Sequence, residues 1–136
     1  MKELLLDANV LVRFLVQDDP KQSAAATALF EKAERHDVML HWDGLTVAET
    51  VYVLIGRYGQ RRSDVVNVLL AIIQNAGVET AEREIVTDAL QRFGAMNVDF
   101  PDAWLAARAA RLGRQVASFD RDFDKFKDLR RFDPTA

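Results

Sequence analysis

Short apolar runs alternate along this chain with longer segments of helical period, and that alternation limits the fold more than any other feature. Glu3 to Leu6, Val38 to His41, Gly77 to Thr80 and Gln115 to Phe119 read as strands. Pro20 to Arg35 is an Ala-rich helical segment, with Pro20 suited to a first turn. From Leu45 to Tyr58 the residues Val47, Val51, Leu54, Ile55 and Tyr58 keep helical spacing, and Gly56 and Gly59 mark its end. Ile85, Ala89, Phe93 and Met96 form the stripe of a further helix, and Asp102 to Leu112 another, opened by Pro101 and closed by Gly113. Strands that alternate with helices imply a parallel sheet, since parallel neighbours need long crossovers. The expected fold is α/β, a short parallel central sheet wrapped by helices in three α/β/α layers. With 136 residues, 49% of them hydrophobic, the chain is expected to be one domain over residues 1–136.

Ser63 to Gln74 stands apart because its apolar residues Val65, Val66, Val68, Leu69, Leu70, Ile72 and Ile73 cover a broad arc. Such a helix must be covered on more than one side. With Tyr58 read as exposed beyond the preceding helix, the surplus predicts a partner surface, most simply a twofold homodimer.

Four acids sit where these segments end or begin: Asp7 in LLLDANVL, Glu49 in LTVAETVYVL, Asp102 in VDFPDAWLAA and Asp120 in VASFDRDF. Singly, an Asp after a strand is commonly a turn or helix-cap residue, because its short side chain accepts a backbone N–H. Together they point elsewhere. A carboxylate at the end of a buried strand is costly unless its charge is compensated, and a hard divalent cation is the simplest species that holds several of them together. In open parallel sheets ligands bind beyond the carboxyl ends of the strands, where Asp7 and Asp120 should lie. Asp102 falls in a first helical turn, where the dipole favours an ionised carboxylate. Glu49 joins them if its helix crosses the same edge.

Composition excludes several chemistries. The absence of cysteine removes disulfide frameworks, thiolate nucleophiles and zinc-thiolate sites, and fits a reducing compartment. No stretch approaches the ~18 uncharged apolar residues of a membrane span, so a soluble cytoplasmic protein is expected. A net charge of −3 argues against coating duplex nucleic acid through a broadly basic surface. Local contacts remain open through Arg13, Arg57, Arg61, Arg62, Arg108, Arg111 and Arg114.

The segments LLLDANVLVRFL, VAETVYVL, DFPDAWLAA and SFDRDF resemble the four acidic motifs of PIN-domain ribonucleases, in particular the VapC-type toxins of bacterial toxin–antitoxin pairs. The resemblance runs over nearly the whole chain in the family's order and spacing. It implies Asp7, Glu49, Asp102 and Asp120 as the catalytic and metal-binding constellation, Asn9 and Ser118 as supporting polar residues, and Asp99 and Asp122 as outer carboxylates. It also implies magnesium or manganese as cofactor, RNA as substrate, a small antitoxin as partner, and a dimer with two acidic sites in one groove. Ala8 departs from the threonine many members carry there. One or two such ions would activate a water and neutralise the leaving oxygen, so no nucleophilic side chain is required.

Other residues take plainer readings. His36 and His41 are expected to be structural. Trp42 and Trp104 are expected in the core, although each lies near a motif and could stack on an RNA base. Asp120, Asp122 and Asp124 alternate like the start of an EF-hand loop, but Lys125 and Arg131 stand where that loop requires glycine and glutamate. A receiver-like phospho-acceptor module also gathers acids at strand ends, yet it would use a lysine after a late strand, and none occurs between Lys32 and Lys125. A non-catalytic module of the same fold is the remaining alternative.

Overall fold

A computed structural model describes residues 1–136, which form two compact units, Met1–Arg83 and Glu84–Ala136. In the first unit, strands β1 (Lys2–Leu5), β2 (Val38–Trp42) and β3 (Val78–Thr80) make a parallel sheet in the order β1-β2-β3. Helices α1 (Ala8–Leu15) and α2 (Pro20–Glu34) connect β1 to β2, and α3 (Gly44–Gly56) and α4 (Arg62–Gln74) connect β2 to β3. Two helices per connection supply the length that parallel pairing demands.

Register pairs Leu4 with Leu40 and Leu40 with Val78. Because side chains alternate across a strand, Val38, Leu40 and Trp42 all turn to one buried face. Trp42 is core there, its Nε1–H donating to Thr80 Oγ1 at 2.6 Å. This arrangement satisfies two buried polar groups with one bond and removes Trp42 as an RNA-stacking residue. Glu3, Leu5, Met39, His41 and Glu79 share the other face, where His41 Nε2 lies 3.1 Å from Glu3 Oε1. His36 ends α2 in the left-handed region with φ 62°, so both histidines have structural surroundings.

Gly77 enters β3 where α2 crosses closely. A Cβ at that position would lie 2.4 Å from the Ala33 carbonyl oxygen, closer than real Cβ atoms approach.

Two surfaces are more covered than the sequence suggests. The broad apolar arc of α4 is consumed inside the chain: Val65 and Leu69 are 0% exposed, Ile73 1% and Ile72 7%. Val68 and Leu70 stay half-buried, so the apolar surface left for a second copy is smaller than the whole arc. Tyr58 is not a free exposed ring either. Its hydroxyl donates to Asp18 Oδ2 at 2.8 Å and accepts from Arg13 at 3.1 Å, while Arg13 also bonds Asp18 and Gln22, both at 2.9 Å. That cluster ties the residue after α3 to α1 and the start of α2.

The second unit contains α5 (Arg83–Ala95), α6 (Phe100–Leu112), β4 (Val116–Ala117), a 3₁₀ turn over Arg121–Lys125, and β5 (Arg131–Phe132), which pairs parallel to β4. Alanines 103, 106, 107 and 109 make the buried stripe of α6. Gly113 ends that helix at φ 64°, its N–H reaching Ala109 O, as the sequence predicts. Arg92 is largely buried and holds Asp88 at 2.7 Å and also Asp128, and Arg111 reaches Asp88 at 3.1 Å. The hydrogen bonds Arg92 donates to Asp128 and then to Asp88 outweigh burial and raise its pKa, so it stays a cation. Trp104 on α6 is half-buried. No helix in either unit is long and apolar enough to cross a membrane.

Candidate active site

Asp7 follows β1 by two residues and occupies the N-cap position of α1, with extended φ −81° and ψ 143°. Its carbonyl accepts from Val10 and Leu11, starting the helix, but its carboxylate makes no capping bond. Three other aspartates show what capping looks like in this chain. Asp19 accepts from Gln22 N at 3.0 Å, Asp43 from Leu45 N at 3.1 Å and Thr46 N at 3.2 Å, and Asp120 from Asp122 N at 2.8 Å. Asp99 repeats the Asp7 pattern at α6, in the cap position without a cap bond. The ordinary structural use of an Asp at a helix start is therefore realised at Asp43 and withheld at Asp7 and Asp99.

In the first unit α1 packs on α3, which brings Asn9 and Glu49 to one cleft of about 320 Å³ lined also by Ala8, Ala48, Tyr52 and Val53. Glu49 lies on the exposed side of α3, off the Val47, Val51 and Leu54 stripe, as its spacing predicts. Asp7 sits two residues before Asn9 at the start of the same α1. Tyr52, three residues after Glu49 and therefore on its face of the helix, is a lining residue that the sequence did not single out. The signal was available: an aromatic residue placed off the buried stripe.

The second unit gathers its acids more closely. Asp102 in the first turn of α6 is half-buried, and burial pushes its carboxyl up first, followed by the negative charges of Asp120, Asp99 and Asp122. All four of these acids were nominated from the sequence, and no cation enters among the causes. Asp120 is held by its surroundings: Ser118 Oγ accepts from the Asp120 N–H at 2.9 Å, and Asp120 Oδ1 accepts from Asp122 N–H at 2.8 Å. Ser118 is fixed in turn, its carbonyl accepting from Arg131 at 3.1 Å. Asp122 is partly neutralised by Lys125 at 3.3 Å.

The donor set in both units is carboxylate and amide oxygen without thiolate, which fits a hard divalent cation such as magnesium or manganese. A half-buried carboxylate raised by three like charges is the local condition such an ion relieves. No group of three or more His, Asp or Glu side chains stands ready as a metal cage, so the fit rests on donor chemistry and unrelieved charge.

No curated protein matches the chain significantly. A family model does, aligning to residues 4–129, and its description is the PIN domain. The alignment takes in Asp7, Glu49, Asp99, Asp102, Asp120 and Asp122, and the parallel three-stranded sheet with its paired helical crossovers fits that α/β family. This chain belongs to the PIN domain family, whose fold is that of a nuclease.

Proposed function

We propose that this protein is a metal-dependent endoribonuclease that hydrolyses RNA phosphodiester bonds, and that it serves as the toxin of a VapBC-type toxin–antitoxin pair in the cytoplasm. The observation that carries the catalytic reading is the half-buried Asp102, its carboxyl pushed up by burial and by the charges of Asp120, Asp99 and Asp122. In this reading the two units act as one PIN domain. Asp7, Glu49, Asp102 and Asp120 would hold magnesium or manganese, with Asn9, Asp99, Ser118 and Asp122 supporting them. Such an ion supplies a lowered water pKa and neutralises charge on the scissile phosphate.

The chain's own groups do the rest. Asp102 carries a charge that burial and its acidic neighbours disfavour, so a bound cation would relieve it. Ser118 holds the Asp120 backbone and the Asp122 N–H holds one oxygen of its carboxylate, which leaves the other oxygen for a ligand. Asn9 offers an uncharged donor beside Glu49 that can hold a phosphate or a base edge without adding repulsion. The toxin role, the antitoxin and the second copy rest on the resemblance of the four motifs. Incubating the purified chain with RNA, with manganese or with excess chelator, tests the reaction. Cleavage in manganese that stops in chelator supports it, and equal cleavage in both, or none in either, contradicts it.

A further inference from the structure

Tyr52 is the one aromatic residue of the first unit without a partner. Phe14 stacks on Phe30 at 4.1 Å, Trp42 is buried and bonded to Thr80, and Tyr58 is tied to Asp18 and Arg13. Tyr52 is 80% exposed, and its hydroxyl makes no hydrogen bond. Folding gains nothing from leaving so large an apolar ring in water. The ring lines the same cleft as Glu49 and Asn9, together with Ala8, Ala48 and Val53.

We propose that Tyr52 is a substrate-binding residue that stacks on a base of single-stranded RNA, with the Asn9 amide reading or holding that base's edge. The inference rests on the ribonuclease reading for its substrate class. A flat ring beside a free amide provides the two contacts that unpaired bases accept, a π face and a hydrogen-bonding edge. Duplex RNA withholds the π face, because its bases are stacked on one another, and uses their Watson–Crick edges in pairing. A second copy of the chain fits the ring less well. The carboxylate of Glu49 lies on the same side of α3, and twofold pairing through this face would bury it against like charge.

The test uses the full chain and a fluorescently labelled single-stranded RNA oligonucleotide, with the same sequence as a duplex for comparison. Binding is measured in chelator, where hydrolysis is not a readout, and cleavage separately in manganese. Tyr52→Ala should weaken single-strand binding roughly 10-fold, the range expected for loss of one base–aromatic stack, and raise KM with kcat unchanged. Duplex binding should not change, and Tyr52→Phe should behave as wild type, since the ring and not the hydroxyl is used. Wild-type affinity and KM in Tyr52→Ala, in a protein that cleaves RNA, would overturn the stacking inference and leave the nuclease reading standing. Binding that depends on Tyr52 in a protein that never cleaves would do the reverse, and a wild type that neither binds single-stranded RNA in chelator nor cleaves it in manganese would sink both. A dimer that becomes a monomer in Tyr52→Ala, seen by light scattering, would assign the ring to a protein interface and overturn the inference.

Discussion

Replacing Asp102 by Asn should make the metal-free protein more stable while disabling it. The side chain keeps its shape and loses a charge that faces Asp120, Asp99 and Asp122 from a half-buried position. An exposed like-charge pair costs roughly 0.2–1 kcal/mol, and water screens most of it here because Asp99 and Asp120 are exposed. The summed relief is about 1 kcal/mol, or about 4 °C in midpoint for a chain of this size. The sign in pH follows from linkage. A carboxyl raised above its ordinary value of 3.8 in the folded state binds its proton more tightly there than in the unfolded chain. Wild-type stability therefore falls as pH rises from the ordinary value through the raised one. The advantage of Asp102→Asn should be full at pH 7 and vanish in acid, where the wild-type carboxyl is protonated as well. Thermal melts of both proteins in chelator, at neutral and acid pH and at low and high salt, measure this. Equal midpoints at pH 7, or a less stable variant, would refute the charge account of the site.

Other outcomes follow from the same geometry. Saturating manganese should raise the melting midpoint of the wild type, by an amount equivalent to about 2.7 kcal/mol at a hundredfold excess over Kd, and Asp102→Asn should lose most of that gain; calorimetry with and without the ion reads both. Gly77→Ala should destabilise the fold by roughly 1–3 kcal/mol, because the new methyl meets the Ala33 carbonyl at 2.4 Å, and an unchanged denaturation midpoint would contradict the close crossing of α2. Leu69→Asp should unfold the chain outright, since Leu69 is 0% exposed; circular dichroism distinguishes this from a folded monomer released from a dimer.

How far the sequence could be read depended on whether the deciding contacts were local. Helix α6 was legible at both ends because Pro101 and Gly113 act through their own backbone. Helix α1 was not assigned from the sequence, because it follows the first strand with Asp7 as its only break; the buried set Ala8, Leu11 and Val12 carries the helical spacing. The strand expected over Gln115 to Phe119 shrank to Val116–Ala117, since its partner β5 is only Arg131–Phe132, a pair with no apolar alternation to announce it. The arc of α4 was visible, but a sequence shows that apolar surface exists and not what covers it. Individual acids were legible because each breaks an apolar context. That Asp99 and Asp102 share charge with Asp120 and Asp122 is a tertiary fact, made by the return of the chain through β4.

The central claim is that the free carboxylate of Asp7, which starts α1 without capping it, serves RNA hydrolysis. The rate of RNA cleavage by Asp7→Asn in saturating manganese, on protein shown by circular dichroism to be folded, tests it most directly. Loss of orders of magnitude with folding intact is the predicted result; cleavage at the wild-type rate would contradict the account.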